Sequence, residues 1–454
     1  MLQLSILTRF FETSTFGEYA VLNLSIEVFS AISLGGISTY LIHRKNISDK
    51  GRSTVFFIAL ATGVLTFLIA KMASPFILAL FSYEYLTDYL EVLSVLLLIH
   101  AVSAQYESIA VVNFEHTALA KIEIAARCIA FGVAMLTIEL QLLCLVIASI
   151  THSLSKMLLL MFSFSTSSKL KPEFDFIEAK RAWRYGIYNV GSQFLNLLRR
   201  QIDIIVLAST LNTSELGIYH VLRQLAARPG QSLQPIVRRI TMPLMSEVQQ
   251  GASQLQQLYY DTFLVFCFVM SFIYTPLIIF SNEITLLFFG EKYAPYHLIL
   301  ALLSVFWLIR IVGPTTMGTL VQTTGHTHLT FYWNLWTLPV SAIVMYISSL
   351  YGIYLLCASL IAFQLALFYL SNRTITNKII EIQFSKLAWI FFITTFPFVL
   401  SSLFIRIPSF YFDISYISTI IILLIVGTSS AVSLLLTYKI NDTVREAINR
   451  LKGA

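Results

Sequence analysis

Five polar residues between positions 189 and 203 fall at helical spacing. Asn189, Gln193, Asn196, Arg200 and Asp203 are separated by four, three, four and three residues, which draws one stripe down one helix face. Arg199 lies beside the stripe and can pair with Asp203 at i,i+4. A second stripe follows almost at once, with Gln224, Arg228, Gln231 and Arg238 on one face and Arg223 alongside. Arginine is the side chain suited to phosphate. Its planar fork matches phosphate oxygens, and it stays charged when desolvated. The chemistry on offer is electrostatic capture of an anion rather than bond making. For Arg199 and Arg200 a second reading stands beside this one, in which they neutralise Asp203. Arg223 and Arg228 have no acid nearby in sequence.

Two further groups belong to this set. Glu27, flanked by Asn23 and Ser30, is either an ion-coupling carboxylate or the partner of an arginine. Arg310 precedes Gly313-Pro314 and either meets the same anion or caps carbonyls freed by the proline. His326 and His328 fall in a short loop, and no metal site is expected there. Cys128, Cys144, Cys267 and Cys357 sit in apolar stretches without CxxC spacing, so neither a disulfide framework nor zinc is suggested. There is no glycine-rich phosphate loop, HExxH or nucleophilic triad. No cofactor and no enzymatic activity are therefore expected.

These polar faces are set in an apolar chain. Its 454 residues are 57% hydrophobic and 12% charged, about half the charged share of a soluble domain. The elements that must carry the stripes are therefore membrane helices of about 20 residues. Thirteen spans are predicted, at 17–41, 54–81, 89–112, 119–139, 142–163, 184–209, 215–237, 258–281, 296–321, 329–350, 352–371, 386–405 and 415–438. Residues 1–9 are too short to cross. An upstream start completing a fourteenth helix is expected, and MLQLSILTRF does not read as a cleavable signal peptide. With this alternation, 19 Lys and Arg fall in one set of loops and only Arg9, Lys292 and Arg406 in the other. The asymmetry places the C-terminus in the cytoplasm. The net charge of +6 thus reflects orientation and not nucleic-acid binding. Residues 441–452 read as a basic amphipathic tail on the inner leaflet.

Within this frame the chain divides into an N-terminal lobe (1–163), a cytoplasmic linker (164–183), a C-terminal lobe (184–371) and two further helices with a basic tail (372–454). The lobes carry a repeat. Residues 11–21 align without a gap on residues 211–221 and share Thr13/Thr213, Ser14/Ser214, Gly17/Gly217, Tyr19/Tyr219 and Val21/Val221. Six spans separate the copies, so both open on the same side. Proline at 229 and 235 should kink the second polar helix, because each removes a backbone donor.

The turn Ser14-Thr15-Phe16-Gly17-Glu18-Tyr19 resembles the S-P-E-x-F-G-x-Y turn of polysaccharide flippases, the Wzx-type members of the multidrug/oligosaccharidyl-lipid/polysaccharide exporter superfamily. Leu34-Gly35-Gly36-Ile37 with His43-Arg44-Lys45, Asp203-Ile204-Ile205-Val206-Leu207 with Leu216-Gly217-Ile218-Tyr219, Pro243-Leu244-Met245-Ser246, Gly290-Glu291-Lys292-Tyr293 and Gly325-His326-Thr327 are similar to further elements of that family, in order along the chain. Thr15 stands where the family has proline. The resemblance implies an all-α polytopic membrane fold of about 14 transmembrane helices, the first truncated here, in two pseudo-symmetric six-helix lobes plus two C-terminal helices. It also implies export of undecaprenyl-diphosphate-linked oligosaccharide across the bacterial cytoplasmic membrane by alternating access.

On that reading Arg199, Arg200, Arg223, Arg228 and Arg310 meet the diphosphate. Asn196, Asp203, Gln224 and Gln231 line the cavity, and Glu27 is the candidate for coupling to H+ or Na+. The partners are the lipid-linked oligosaccharide, membrane lipids and the polysaccharide polymerase machinery. A multidrug or small-molecule antiporter of the same superfamily is the alternative, although its cavity should be acidic or apolar. A membrane polymerase or ligase would need an outer loop larger than any in this chain.

Overall fold

The computed structural model describes residues 2–34, 40–41, 47–164 and 173–409. Among these residues the regular structure is helical: α1 (Leu2–Phe10), α2 (Thr13–Leu34), α3 (Asp49–Leu80), α4 (Thr87–Leu93), α5 (Val95–Val112), α6 (His116–Leu136), α7 (Leu142–Phe164), α8 (Phe176–Thr210), α9 (Thr213–Glu247), α10 (Ala252–Ile279), α11 (Ser281–Phe289), α12 (His297–Thr323), α13 (Thr327–Ser349), α14 (Ile353–Ser371) and α15 (Phe384–Ser409), joined by short turns. Each of the first twelve predicted spans coincides with one of these helices or, for 89–112, with the consecutive pair α4 and α5. The span 415–438, the tail at 441–452, Gly35 to Ile37 and His43 to Lys45 lie outside the described residues.

Seven helical segments among the described residues are long and apolar enough to cross a bilayer by composition alone: 49–80, 84–112, 142–164, 252–279, 294–323, 353–379 and 384–403. The fold is an all-α polytopic membrane protein. The other predicted spans also form helices, of 22 residues for α2, 21 for α6, 35 each for α8 and α9, and 23 for α13. Polar side chains lower their mean hydropathy. In α8 and α9 these are the stripes themselves. At 1.5 Å per residue each of these two runs about 52 Å, more than the hydrocarbon thickness of about 30 Å.

Packing divides the chain into two compact units, Phe10–Gly217, and Met1–Arg9 with Ile218–Ala454. α8 packs against α2 and α3 within the unit Phe10–Gly217, and its helix starts at Phe176. Asp175 caps that helix, its carboxylate accepting from Ile177 N (2.9 Å) and Glu178 N (3.2 Å). Its own amide donates to Thr54 Oγ1 at 2.8 Å, and Tyr40 donates to Glu178 at 2.8 Å. Both bonds fasten the start of α8 to α3 and the segment before it.

In the unit Phe10–Gly217 the pattern of side-chain size is that of a membrane protein. The buried face of α3 is small, with Ala59, Gly63, Thr66, Ala70 and Ser74. Its outward face carries Leu65, Leu68, Met72, Phe76 and Leu80, which suit lipid. On α6 the buried Ala126, Ala130 and Ala134 recur every fourth residue. That smooth ridge lets α7 approach closely, as small residues do between membrane helices.

In the other unit α10, α12, α14 and α15 pack together around aromatic contacts such as Phe263 on Phe368 and Phe268 on Phe398, 5.9 and 5.3 Å between centroids. α1 is fastened here to the last carbonyls of α11. Ser5 donates to Phe288 O, and Arg9 Nη2 to Leu287 O at 2.8 Å. A cation at a helix C-terminus suits the helix dipole. Beside them Tyr293 is buried against Phe289, and burial pushes its phenol above the usual range.

Candidate functional site

In the unit Phe10–Gly217 most of the first stripe is exposed. Gln193, Asn196, Arg199 and Arg200 are exposed, with 60% of the Arg200 side chain accessible. Asp203 at the end of the stripe is buried, at 8%. A membrane helix that leaves such a row uncovered requires water beside it, because lipid would leave those groups unsolvated. Glu27 joins the stripe from α2. Its Oε2 lies 3.6 Å from Arg200 Nη2 and accepts from Gln201 Nε2 at 2.8 Å. Its Oε1 accepts from Asn23 Nδ2 at 2.9 Å. Two polar features far apart in sequence thus form one group. Gln201 was missed by sequence reasoning, since it falls off the four-and-three spacing. Only the position of α2 reveals it.

The repeated segments meet in the same unit. Thr13 and Ser214, taken from the two copies, share a hydrogen bond between their hydroxyls. Gly17 and Gly217 lie where the first turns of α2 and α9 cross. A Cβ on Gly17 would overlap the carbonyl oxygen of Thr213, and one on Gly217 would overlap that of Thr13. The contact is reciprocal. Only glycine permits this approach. Asn212 opens α9, its Oδ1 accepting from Glu215 N at 2.8 Å.

The other unit holds the second stripe. Arg223 and Gln224 are half-buried, whereas Arg228 and Gln231 are exposed. Gln224 Nε2 donates to His220 Nε2 at 2.7 Å. Near Pro229, where a kink is expected, a side chain meets the helix backbone. Tyr274, fully buried on α10, donates to Ala226 O at 2.8 Å and accepts from Gly230 N at 3.2 Å. Those two groups are i→i−4 partners in a regular helix. The phenol hydroxyl thus bonds both groups beside Pro229, within a helix that runs on through them. Further along, Gln234 Nε2 donates to Thr315 Oγ1 at 3.1 Å, next to Pro314. Arg310 lies over the rings of Phe306 and Trp307, at 5.3 and 5.4 Å, where cation–π attraction adds to packing. Tyr274 carried no sequence signal, because a tyrosine in an apolar span is ordinary.

The arrangement can bind an anion along two arginine-bearing faces, and among the described residues no group of three or more His, Cys, Asp or Glu is placed to hold a metal. Comparison with known proteins gives this geometry a context. Residues 6–298 match the model of a family described as polysaccharide biosynthesis protein. The chain belongs to that family. It is 27% identical over 303 residues to the amylovoran biosynthesis protein AmsL of Erwinia amylovora, covering 66% of this chain and 77% of that one. It is 24% identical over 361 residues to the teichuronic acid biosynthesis protein TuaB of Bacillus subtilis (79% and 74% covered). With the lipopolysaccharide biosynthesis protein WzxC of Escherichia coli it shares 23% over 338 residues (74% and 68%). In fold it is similar to the lipid II flippase MurJ in an inward closed conformation, with a TM-score of 0.74 at 13% identity over 96% of this chain and 97% of that one. It also resembles an inward-facing multidrug MATE transporter, with a TM-score of 0.62 at 14% identity and 83% and 94% covered. These three sequence relatives are named as biosynthesis proteins of amylovoran, teichuronic acid and lipopolysaccharide.

Proposed function

We propose that the chain is a flippase that moves undecaprenyl-diphosphate-linked oligosaccharide repeat units across the bacterial cytoplasmic membrane. The observation that carries this reading is the pair of uncovered arginine-bearing faces on α8 and α9 in a protein whose family makes polysaccharide. A diphosphate is the anionic part shared by such lipid-linked sugars, and bidentate arginine is matched to it. Arg199, Arg200, Arg223, Arg228 and Arg310 contact the diphosphate. Asn196, Asp203, Gln224 and Gln231 keep the path wetted. The halves 1–163 and 184–371 act as duplicated lobes joined by a cytoplasmic linker, and exchange access between the two sides of the membrane. The C-terminus is cytoplasmic on the Lys/Arg partition. The polymerase machinery that receives the units is the partner on the outer side. Cation-selective drug export is the poorer fit, because arginine repels such substrates.

The test is deletion of the gene and complementation. Undecaprenyl-linked repeat units should accumulate on the inner leaflet in the deletion strain, and surface polysaccharide should return with the wild-type gene. A deletion strain with normal surface polysaccharide and no accumulated lipid-linked units would overturn the reading. A reporter fused after Ala454 should read cytoplasmic and one inserted near Asn212 periplasmic.

A further inference from the structure

Six titratable side chains that belong to neither stripe meet inside the unit Phe10–Gly217. They come from three consecutive spans, with His100 and Glu107 on α5, Glu123 and Arg127 on α6, and His152 and Lys156 on α7. Lys156 Nζ bridges two acids, at 2.6 Å from Glu107 Oε1 and 3.2 Å from Glu123 Oε2. Arg127 Nη2 lies 2.7 Å from Glu123 Oε1. His152 Nε2 lies 3.4 Å from the same oxygen, without the geometry of a hydrogen bond. His100 Nε2 is 3.3 Å from Ser153 Oγ. From α2, Tyr19 reaches α7 one turn away, its hydroxyl 2.7 Å from Ser149 Oγ.

The depth of the cluster follows from topology. α5 ends at Val112, α6 begins at His116 and α7 ends at Phe164, all on the side with the Lys- and Arg-rich loops. At 1.5 Å per residue, Glu107, Glu123 and Lys156 lie about 8 to 12 Å inward from those ends, and Arg127, His152 and His100 about 17 to 18 Å. A ladder of ionisable groups therefore runs from near the inner surface toward mid-membrane. Such groups at membrane depth are costly and mark ion pathways.

The charge balance selects the ion. Glu107 and Glu123 are already compensated by Lys156 and Arg127, so with neutral imidazoles the cluster sums to zero. A metal cation would meet two fixed positive charges at the only carboxylates. A proton needs no coordination shell, and the imidazole beside Glu123 is the group whose ordinary range spans physiological pH. We propose that this cluster is the coupling site of the transporter and that the coupled ion is a proton, which binds His152 Nε2 when the site is open to the outer side and leaves to water at the cytoplasmic end of the ladder as the substrate moves outward. The imidazolium forms an ion pair with Glu123, which then divides its charge among three cations and loosens the hold of α6 on Lys156. The connection to the first stripe is contiguous. Ser149 bonds Tyr19 on α2, and α2 carries Glu27, which holds Arg200 and Gln201. This assigns coupling to His152 rather than to Glu27, whose oxygens are taken up by Asn23, Gln201 and Arg200.

The inference rests on the flippase reading for its transport consequence but not for its proton. The full-length protein, labelled with 15N-histidine and held in micelles, should show among its eight imidazoles a signal that H152Q removes and that titrates between pH 5 and 8. In E123Q its proton affinity should fall about tenfold, the factor carried by one unit of a titration midpoint. In deletion cells carrying H152Q at normal abundance, surface polysaccharide should fall about tenfold and lose its dependence on pH, while Leu154→Ala, on the exposed side of the same helix, should leave export as in wild type. A His152 signal that stays constant across that range overturns the site. Wild-type export and pH response in H152Q overturn the coupling. Failure of the wild-type gene to restore polysaccharide would sink the flippase reading and leave the imidazole titration standing.

Discussion

The two stripe-bearing helices are equal in length and opposite in construction. α8 runs 35 residues without proline. It draws a carboxylate from α2 onto Arg200 and buries a second one, Asp203, on its own length. α9, also 35 residues, has three prolines at 229, 235 and 243 and no acid between Leu216 and Ser246. The hydroxyl of Tyr274 bonds its backbone at Ala226 O and Gly230 N. One helix carries acids beside its arginines and no proline, and the other carries arginines with no acid close in sequence and three prolines. On the proposed reading the arginines of α9 weigh more in anion capture, and its three prolines favour bending, while α8 supplies a second polar wall.

The largest test of that contrast is charge reversal on α9. The double substitution Arg223→Glu/Arg228→Glu should reduce export at least tenfold at unchanged abundance, read as surface polysaccharide with a blot for protein. Lys at both positions should impair it less, since charge remains while the bidentate fork is lost. Full export from the Glu/Glu variant would remove α9 from the substrate path.

Next is the crossing of α2 and α9. Gly217→Val places a side chain against the Thr13 carbonyl, where the obstacle is backbone and cannot swing aside. Overpacking of this kind costs about 1–3 kcal/mol or more. The expected result is a lower melting temperature in detergent and reduced abundance, with Gly17→Val giving the same effect because the contact is reciprocal. A tolerant Gly217 paired with an intolerant Gly17 would break the reciprocity.

Tyr274→Phe comes third. It removes the hydroxyl between Ala226 O and Gly230 N and leaves two buried backbone groups to find each other or go unpaired, at about 1–3 kcal/mol. The variant should lose thermal stability in detergent, whereas Tyr351→Phe at an exposed position should not.

These residues also mark what could be read in advance. The spans were legible because a bilayer imposes length and apolarity on each helix separately, and α3 or α14 needs no partner to be recognised. The stripes were legible because helical spacing is local. The Thr-Ser-x-x-Gly-x-Tyr repeat was legible as sequence, but its reciprocal packing was not, since identity of two segments does not say that they touch. The start of α8 at Phe176 was hidden by the charged residues of its first turns. The bond from Gln201 to Glu27, the Tyr274 bonds to α9 and the six-residue cluster on α5 to α7 were illegible for one reason. Each depends on which helices are neighbours, and every member alone is an unremarkable residue in an apolar run.

The smallest expected effect concerns the compensated helix. Arg200 is 60% exposed and stands 3.6 Å from Glu27, a separation and exposure at which an ion pair contributes about 0–1 kcal/mol. Removing the arginine alone leaves Glu27 held by Asn23 and Gln201, so Arg200→Gln should cut export about two- to threefold. Glu27→Gln keeps an acceptor and an amide in place, and should act in the same direction with less force. If compensation is what α8 supplies, the double variant Glu27→Gln/Arg200→Gln should be no worse than Arg200→Gln alone, because the charges leave together. If instead Arg200 holds the diphosphate as strongly as α9 does, Arg200→Gln should approach the loss in the α9 double variant, and Glu27→Gln should not offset it. A double-mutant cycle on export, with abundance held equal, separates the two, since only contacting residues give a non-zero interaction.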